Sequence, residues 1–434
     1  MEEKRPSWTS RCSFILAAVG SAVGLGNIWR FPYIMGQNGG AVFLAVYLLL
    51  IMTICFIPLF AELAIGKLTQ KEPVGAYETA HRNLKWLGFL NPITGILISS
   101  FYFIVGGWII NYMFLGFTYK NITDFSNYFS IFIQNPATMC TLTLIFLFVC
   151  VFFTARGVKK GIEFANNVLM PMFAVILVGL IIFSLNLPNA HLGLEYMFKP
   201  DFSKVNSHML LAALGQALFT LSIGMGALLT YGSYIKDDKG IARSAYTIIF
   251  SDTLFALMAG IMIFPALFSF GLEPNSGAGL VFVTIPYIFS QIPHGEIVSF
   301  AFFTLLFAAA LTSGISIIEV PIASMVERWK LSRIKACVVL FFMISAISIP
   351  ASLSFGLLKD FSICQKNIFD FLDYITSNAL MPINALIICL IAGWVFKIKG
   401  EKFIQNKALQ LMFDIGLRFV VPLALIGLMY IGLK

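Results

Sequence analysis

Apolar residues run through this chain in long blocks, with neither the period-two alternation of strands nor the narrow stripe of surface helices. About ten such blocks centre near Leu50, Val105, Leu147, Leu177, Phe219, Met258, Phe307, Phe342, Ile388 and Leu425. Each is long enough for a helix to cross roughly 30 Å of hydrocarbon. An earlier block over residues 13–36 has the same length, but its interior, residues 20–32, reads GSAVGLGNIWRFP. Glycines, an asparagine, an arginine and a proline stand there in place of Leu, Ile and Val. Unpaired backbone groups in hydrocarbon cost several kcal/mol, so a break survives only against protein or a water-lined cavity. Gly20, Ser21, Ala22 and Gly24 would also suit a close helix–helix contact, but that reading gives Asn27 and Arg30 no role. The pattern predicts an all-α polytopic membrane protein of about eleven spans, the first unwound at an ion and substrate site.

Composition agrees: 59% of the 434 residues are hydrophobic and 12% charged, which excludes a soluble domain. The net charge of +8 is a topology signal and not a nucleic-acid footprint. Sorted by alternate connections, basic clusters at 4–11, 67–85, 156–160, 236–243, 328–335 and 397–407 share one side. Lys120, Lys199, Lys204, Lys359, Lys366 and Lys434 fall on the other. The rich side is cytoplasmic by the positive-inside rule, so the N-terminus is expected inside and the C-terminus outside a cell membrane. The charged start runs straight into the first span, with no cleavable signal peptide expected. Seven scattered cysteines without a CxxC, and four peripheral histidines, indicate no metal centre or disulfide framework. The outer connections at 188–206 and 271–293 are expected to fold back as lids, and the sequon at Asn121 carries little weight.

One echo organises the chain. The GLG of residues 24–26 recurs as GMG at 224–226, with Ser222 just before it. Two glycine-broken spans five helices apart point to inverted repeats, expected over 1–185 and 206–398, with an added span over 404–433. Two dimerisation faces of small residues would leave the same trace.

These stretches together resemble the neurotransmitter:sodium symporter family: GLGNIWRFP (24–32) with NGG (38–40), FTLS (219–222) with TYGSY (230–234), and LTS (311–313) before Glu319. The likeness covers the whole chain as a single transporter domain. It implies a LeuT-like five-plus-five inverted-repeat bundle with broken first and sixth spans. That family is itself the standard example of such an architecture, which therefore comes with the resemblance and is no independent prediction. It also implies two sodium ions. The first would be held by Ala22, Asn27, Thr220 and Asp252 with the substrate's carboxylate, the second by Gly20, Val23, Ala309, Thr312 and Ser313. A Thr–Ser pair alone would more often bond back onto its own helix.

Animal members usually carry asparagine at the position of Asp252 and bind chloride beside it. Asp252, with Tyr47 and Gln216 as neighbours, implies transport without chloride, and protonation of Asp252 on the empty return step. Glycine at 24, where monoamine members carry aspartate, leaves room for an α-carboxylate at the N–H groups of Leu25 and Gly26. The implied pocket comprises Ala22, Leu25, Gly26, Ile98, Tyr102, Phe219, Thr220, Ser222, Met225, Ser313 and Ile317. It is uncharged and deformable, fit for a hydrophobic or aromatic L-amino acid. Ile98 and Ile317 taken alone would be ordinary bundle core.

The resemblance implies an outer gate of Arg30 paired with Asp373 under an aromatic lid of Tyr102 and Phe219. The inner gate would set Arg5 and Trp8 against Tyr234 and Glu327, which lies one position before the family's usual aspartate, with Arg328 in that place. Gly161, nine residues, then Pro171 matches the point where the fifth span unwinds to let water reach the second sodium. Channel and intramembrane-enzyme readings lack a filter, charge rings or a catalytic cluster. A transport-dead sensor of the same fold would be expected to lose its oxygen ligands, which this chain keeps. The expected state is a monomer or weak homodimer, with the bilayer and a small amino acid as partners.

Overall fold

The computed structural model describes residues 5–236, 240–272, 279–399 and 407–432. Lys4, Lys239, Lys402 and Lys434, and the ends of the expected 404–433 span, lie outside the described residues, as do the side chains of Lys120, Asn121 and Lys204. Nine helices among the described residues are long and apolar enough to cross a membrane. They are Ala41–Thr69, Arg82–Tyr119, Pro136–Ala155, Val158–Leu185, Ile241–Ser269, Gly295–Arg328, Arg333–Leu353, Ile368–Val395 and Gln410–Ile431. The first span is a bent pair, Arg11–Ala22 and Gly26–Gln37, with 46° between its halves. The sixth is Ser207–Thr220 and Ala227–Gly232, two pieces joined by unwound backbone. Counted with these two, the segments fall where the apolar blocks predict eleven.

Packing follows from composition. Of those nine helices the third and eighth spans are the most buried, and carry small or short polar residues such as Ser99, Gly106, Ala309 and Ser316 where helices approach closely. The fifth and eleventh expose Val175, Ile182, Leu423 and Ile426, as lipid-facing spans do. Both long outer connections contain helices that fold back on the bundle. Ala190–Phe198 packs on the seventh span through Tyr196 against Phe264 and Phe268. Leu280–Ser290 sends Phe282 between Trp29, Trp108 and Tyr112.

Why the sixth span breaks can be read at three residues. Ser222, Gly224 and Gly226 have φ of 54°, 82° and 78°, left-handed values that end a right-handed helix. The freed groups are answered from other spans. Glu62 on the second accepts from the Gly224 N–H at 2.7 Å, and Asn384 on the tenth donates to the Gly224 carbonyl at 2.8 Å. A Cβ at Gly224 would drive into the carbonyl of Met381. Gly224→Ala is therefore expected to destabilise the fold by at least about 1–2 kcal/mol, the cost of left-handed backbone alone. The check is a lowered unfolding temperature of the purified protein in detergent.

Candidate ion and substrate site

The two breaks face each other. Ser222 donates its hydroxyl to the Ser21 carbonyl at 3.0 Å, and Gln216 donates its amide to the Gly26 carbonyl at 2.8 Å. Between them lies a small cavity lined by Ala22, Leu25, Gly26, Ile98, Tyr102, Phe219, Thr220, Ser222, Met225, Ser313 and Ile317, together with Ser21 and Gly24. All eleven expected pocket residues, scattered over the first, third, sixth and eighth spans, meet there. No Asp, Glu, Lys, Arg or His is among them. The Tyr102 hydroxyl is buried without a hydrogen-bond partner among the described residues, near the bare α-carbon of Gly24.

Beside this cavity lies a buried polar cluster. Asn27 donates to an Asp252 carboxylate oxygen at 2.8 Å and accepts from the Gly24 N–H at 3.0 Å. The Thr220 hydroxyl donates to Asp252 at 3.1 Å. The carboxylate thus sits, wholly buried, at the junction of the first, sixth and seventh spans. Both side chains that donate to it, Asn27 and Thr220, are neutral. The Tyr47 hydroxyl and Gln216 Oε1 are buried nearby and make no hydrogen bond among the described residues. Hard oxygen donors crowded this closely, one of them anionic, form a set that a sodium ion accepts.

A second group of oxygens lies between the first and eighth spans. Ser313 donates to the Gly20 carbonyl at 3.3 Å, joining the two spans there. Thr312 bonds back to the Ala308 and Ala309 carbonyls at 3.1 Å, the bland pattern for a helical threonine. Ser21 and Ser316 complete the contact through their hydroxyls at 2.8 Å.

The outer gate differs from expectation. Arg30 forms no ion pair with Asp373: its guanidinium lies 4.3 Å from the centre of the Phe219 ring, while Asp373 accepts from Ser377 at 3.0 Å. A weakly hydrated, planar guanidinium stacks favourably on an aromatic face, and this contact takes the arginine in place of the carboxylate. The expected Arg30–Asp373 bridge is not formed in this structure, and Arg30 lies over the Phe219 ring instead.

The residues expected at the inner gate meet one another. Arg5 pairs with Glu327 and donates to the Ser233 carbonyl and hydroxyl. Trp8 donates to the Tyr231 carbonyl at 2.9 Å and packs on Tyr234. The carboxylate opposite Arg5 stands at 327, so the one-position offset leaves the pair intact. Arg328 turns instead to Glu72 and Glu78 at 3.2 and 2.6 Å. Burial raises the Glu72 carboxyl above its ordinary range, opposed by hydrogen bonds from Val74 and Gly75, and the nearby Glu327 raises it further. Glu327→Gln is expected to weaken this lock by about 1 kcal/mol, as for a partly exposed ion pair. Hydrogen exchange over residues 5–13 should then quicken severalfold, and unchanged exchange would show the pair to be idle.

Set against known proteins, residues 5–129 and 129–432 match the model of the Sodium:neurotransmitter symporter family. The chain belongs to that family. A sodium-dependent transporter of Bacillus subtilis is 35% identical over 98% of this chain and 97% of its own length. One from Methanocaldococcus jannaschii is 31% identical over 93% of this chain and 84% of its own. The crystal structure of MhsT in complex with L-phenylalanine superposes with a TM-score of 0.90 at 42% identity, covering 99% of this chain and 100% of that one. This symporter is therefore a membrane-embedded, sodium-dependent transporter of LeuT-like fold and not an enzyme.

Sequence reasoning missed several residues at the symporter's core. Ser21 was legible as part of the glycine-rich break. Glu62, the one acidic residue of its apolar span, is the kind of intramembrane acid that marks function by its cost, and Asn384 follows the same rule more weakly. Their pairing on Gly224 depends on packing and left no trace along the chain.

Proposed function

We propose that this symporter couples two sodium ions to the uptake of a hydrophobic or aromatic L-amino acid, by alternating access and without chloride. The observation that carries the reading is the uncharged cavity between the two breaks, lined in part by Gly24 and edged by the Asp252 cluster. The relative crystallised with L-phenylalanine, similar along the whole chain, supports the same class of substrate. The substrate's carboxylate lies at the Leu25 and Gly26 N–H groups and reaches the sodium held by Ala22, Asn27, Thr220 and Asp252. Its side chain fills the space between Ile98, Tyr102, Phe219, Met225 and Ile317. Gly20, Val23, Ala309, Thr312 and Ser313 hold the second ion.

Residues 1–185 and 206–398 act as inverted repeats, with 404–433 as an added span. The first, second, sixth and seventh spans rock against the rest. Arg30 over Phe219 and Tyr102 caps the site from outside, and Arg5, Trp8, Tyr234 and Glu327 lock it from the cytoplasm. The N-terminus lies on the cytoplasmic side of the cell membrane and the C-terminus on the outer side. The test is binding of each proteinogenic amino acid to purified protein in chloride-free sodium and then potassium. Sodium-dependent binding of a few hydrophobic amino acids is expected. Binding indifferent to sodium, or of amines without a carboxylate, would overturn the reading.

A further inference from the structure

The fifth span carries a polar group that neither site uses. Asn166 is fully buried, its Nδ2 donates to the Ile162 carbonyl at 2.9 Å, and its Oδ1 has no hydrogen-bond partner among the described residues. That oxygen lies against the bare α-carbon of Gly20: a Cβ built there would strike it, with Met170 Sδ at 3.3 Å as the other neighbour. Gly20 is the residue whose carbonyl meets Ser313, so Asn166 borders the second oxygen group on the side that faces the fifth span. The helix is irregular there, since residues Val158–Glu163 form a widened π-helical turn that ends three residues before Asn166. Toward the N-terminal side, buried Glu163 accepts the Thr9 N–H at 2.6 Å, which ties the same turn to the inner gate.

An amide oxygen buried without a donor is costly, and water, an ion or another state of the protein commonly satisfies it. The Gly20 α-carbon against this oxygen offers no N–H or O–H, so what can satisfy it from that side is water or a cation that arrives with it. We propose that Asn166 Oδ1 is a sodium waypoint, the first protein oxygen met by an ion leaving the second site toward the cytoplasm between the first and fifth spans. The proposal rests on the second-site reading above. A hard, neutral oxygen suits such a position: it replaces one water of the ion without holding it as a carboxylate would. Gly20 is bare for the same reason, since any side chain there would cover the oxygen.

The experiment uses the full chain in proteoliposomes and measures amino-acid uptake against rising internal sodium, which occupies the waypoint from inside. Asn166→Asp adds charge and keeps the oxygen; Asn166→Ala removes it. Half-inhibiting internal sodium is expected to fall about fivefold in the aspartate variant and rise about threefold in the alanine variant, as a charge change at a partly hydrated ion would give. Both variants lose the bond to Ile162, so a merely structural role would move them the same way. Shifts in one direction, or none, overturn the waypoint. Thr312→Ala separates the two readings through the external sodium needed for half-maximal uptake. If that rises while the Asn166 variants fail to diverge, the waypoint alone falls; if it does not rise, the second site falls and the waypoint with it.

Discussion

Asp252→Asn is expected to abolish amino-acid binding at ordinary sodium concentrations in chloride-free buffer. Asp252 accepts hydrogen bonds from the neutral side chains of Asn27 and Thr220 and is wholly buried. A buried carboxylate in that setting needs a cation, and the proposed first sodium is the one at hand. Removing one member of a buried charge pair costs about 3–5 kcal/mol, which corresponds to a rise of roughly a hundredfold or more in the sodium needed for half-maximal binding. The side chain keeps its size, so the fold should survive, and an unchanged unfolding temperature would establish that. Chloride should then restore part of the binding, because an anion placed near Tyr47, Gln216 and Thr220 supplies the charge that asparagine lacks. The Tyr47 hydroxyl and the Gln216 amide are buried there already. An asparagine variant fully active without chloride would remove the electrostatic role of Asp252, and chloride-stimulated uptake by the unaltered protein would remove chloride independence.

How much of this was legible along the chain depends on the kind of interaction. The eleven spans follow from apolar length, and both broken helices from glycines and polar residues where hydrocarbon tolerates neither. The pocket residues came through the family resemblance, and the structure gathers all eleven about one cavity because motifs around a broken backbone keep their local geometry. The gates were harder. Whether Arg30 meets Asp373 or the Phe219 ring is decided by a guanidinium choosing between two partners of comparable strength, and no spacing encodes that choice. At the inner gate, the register of Glu327 and Arg328 depends on how the eighth helix is rotated when it ends. The structure resolves this by giving each residue its own opposite charge. Glu62 and Asn384 bind backbone that is irregular only after the sixth span has packed, so their purpose is a tertiary fact.

Gly24 carries the second large prediction. A Cβ at that position would press onto the Ser313 hydroxyl, with the Tyr102 hydroxyl 3.5 Å away. Both side chains line the cavity, and neither can retreat through the close-packed third and eighth spans around Ser99, Ala309 and Ser316. Gly24→Ala is therefore expected to lower the unfolding temperature, since overpacking of about 1–3 kcal/mol falls on the fold itself, and to weaken amino-acid binding by about tenfold or more as the methyl and the displaced side chains take up cavity space. Sterics alone would make Gly24→Asp only somewhat worse than alanine. If a substrate carboxylate occupies the space beside the Leu25 and Gly26 N–H groups, aspartate adds like-charge repulsion worth several kcal/mol. The aspartate variant should then bind no amino acid measurably, while an amine lacking the carboxylate gains affinity relative to the unaltered protein. Titration calorimetry with a matched pair, an aromatic amino acid and its decarboxylated amine, reads both effects in one series. Equal losses in the two variants, with the amine still excluded, would mean that Gly24 keeps the cavity open without marking where the carboxylate sits.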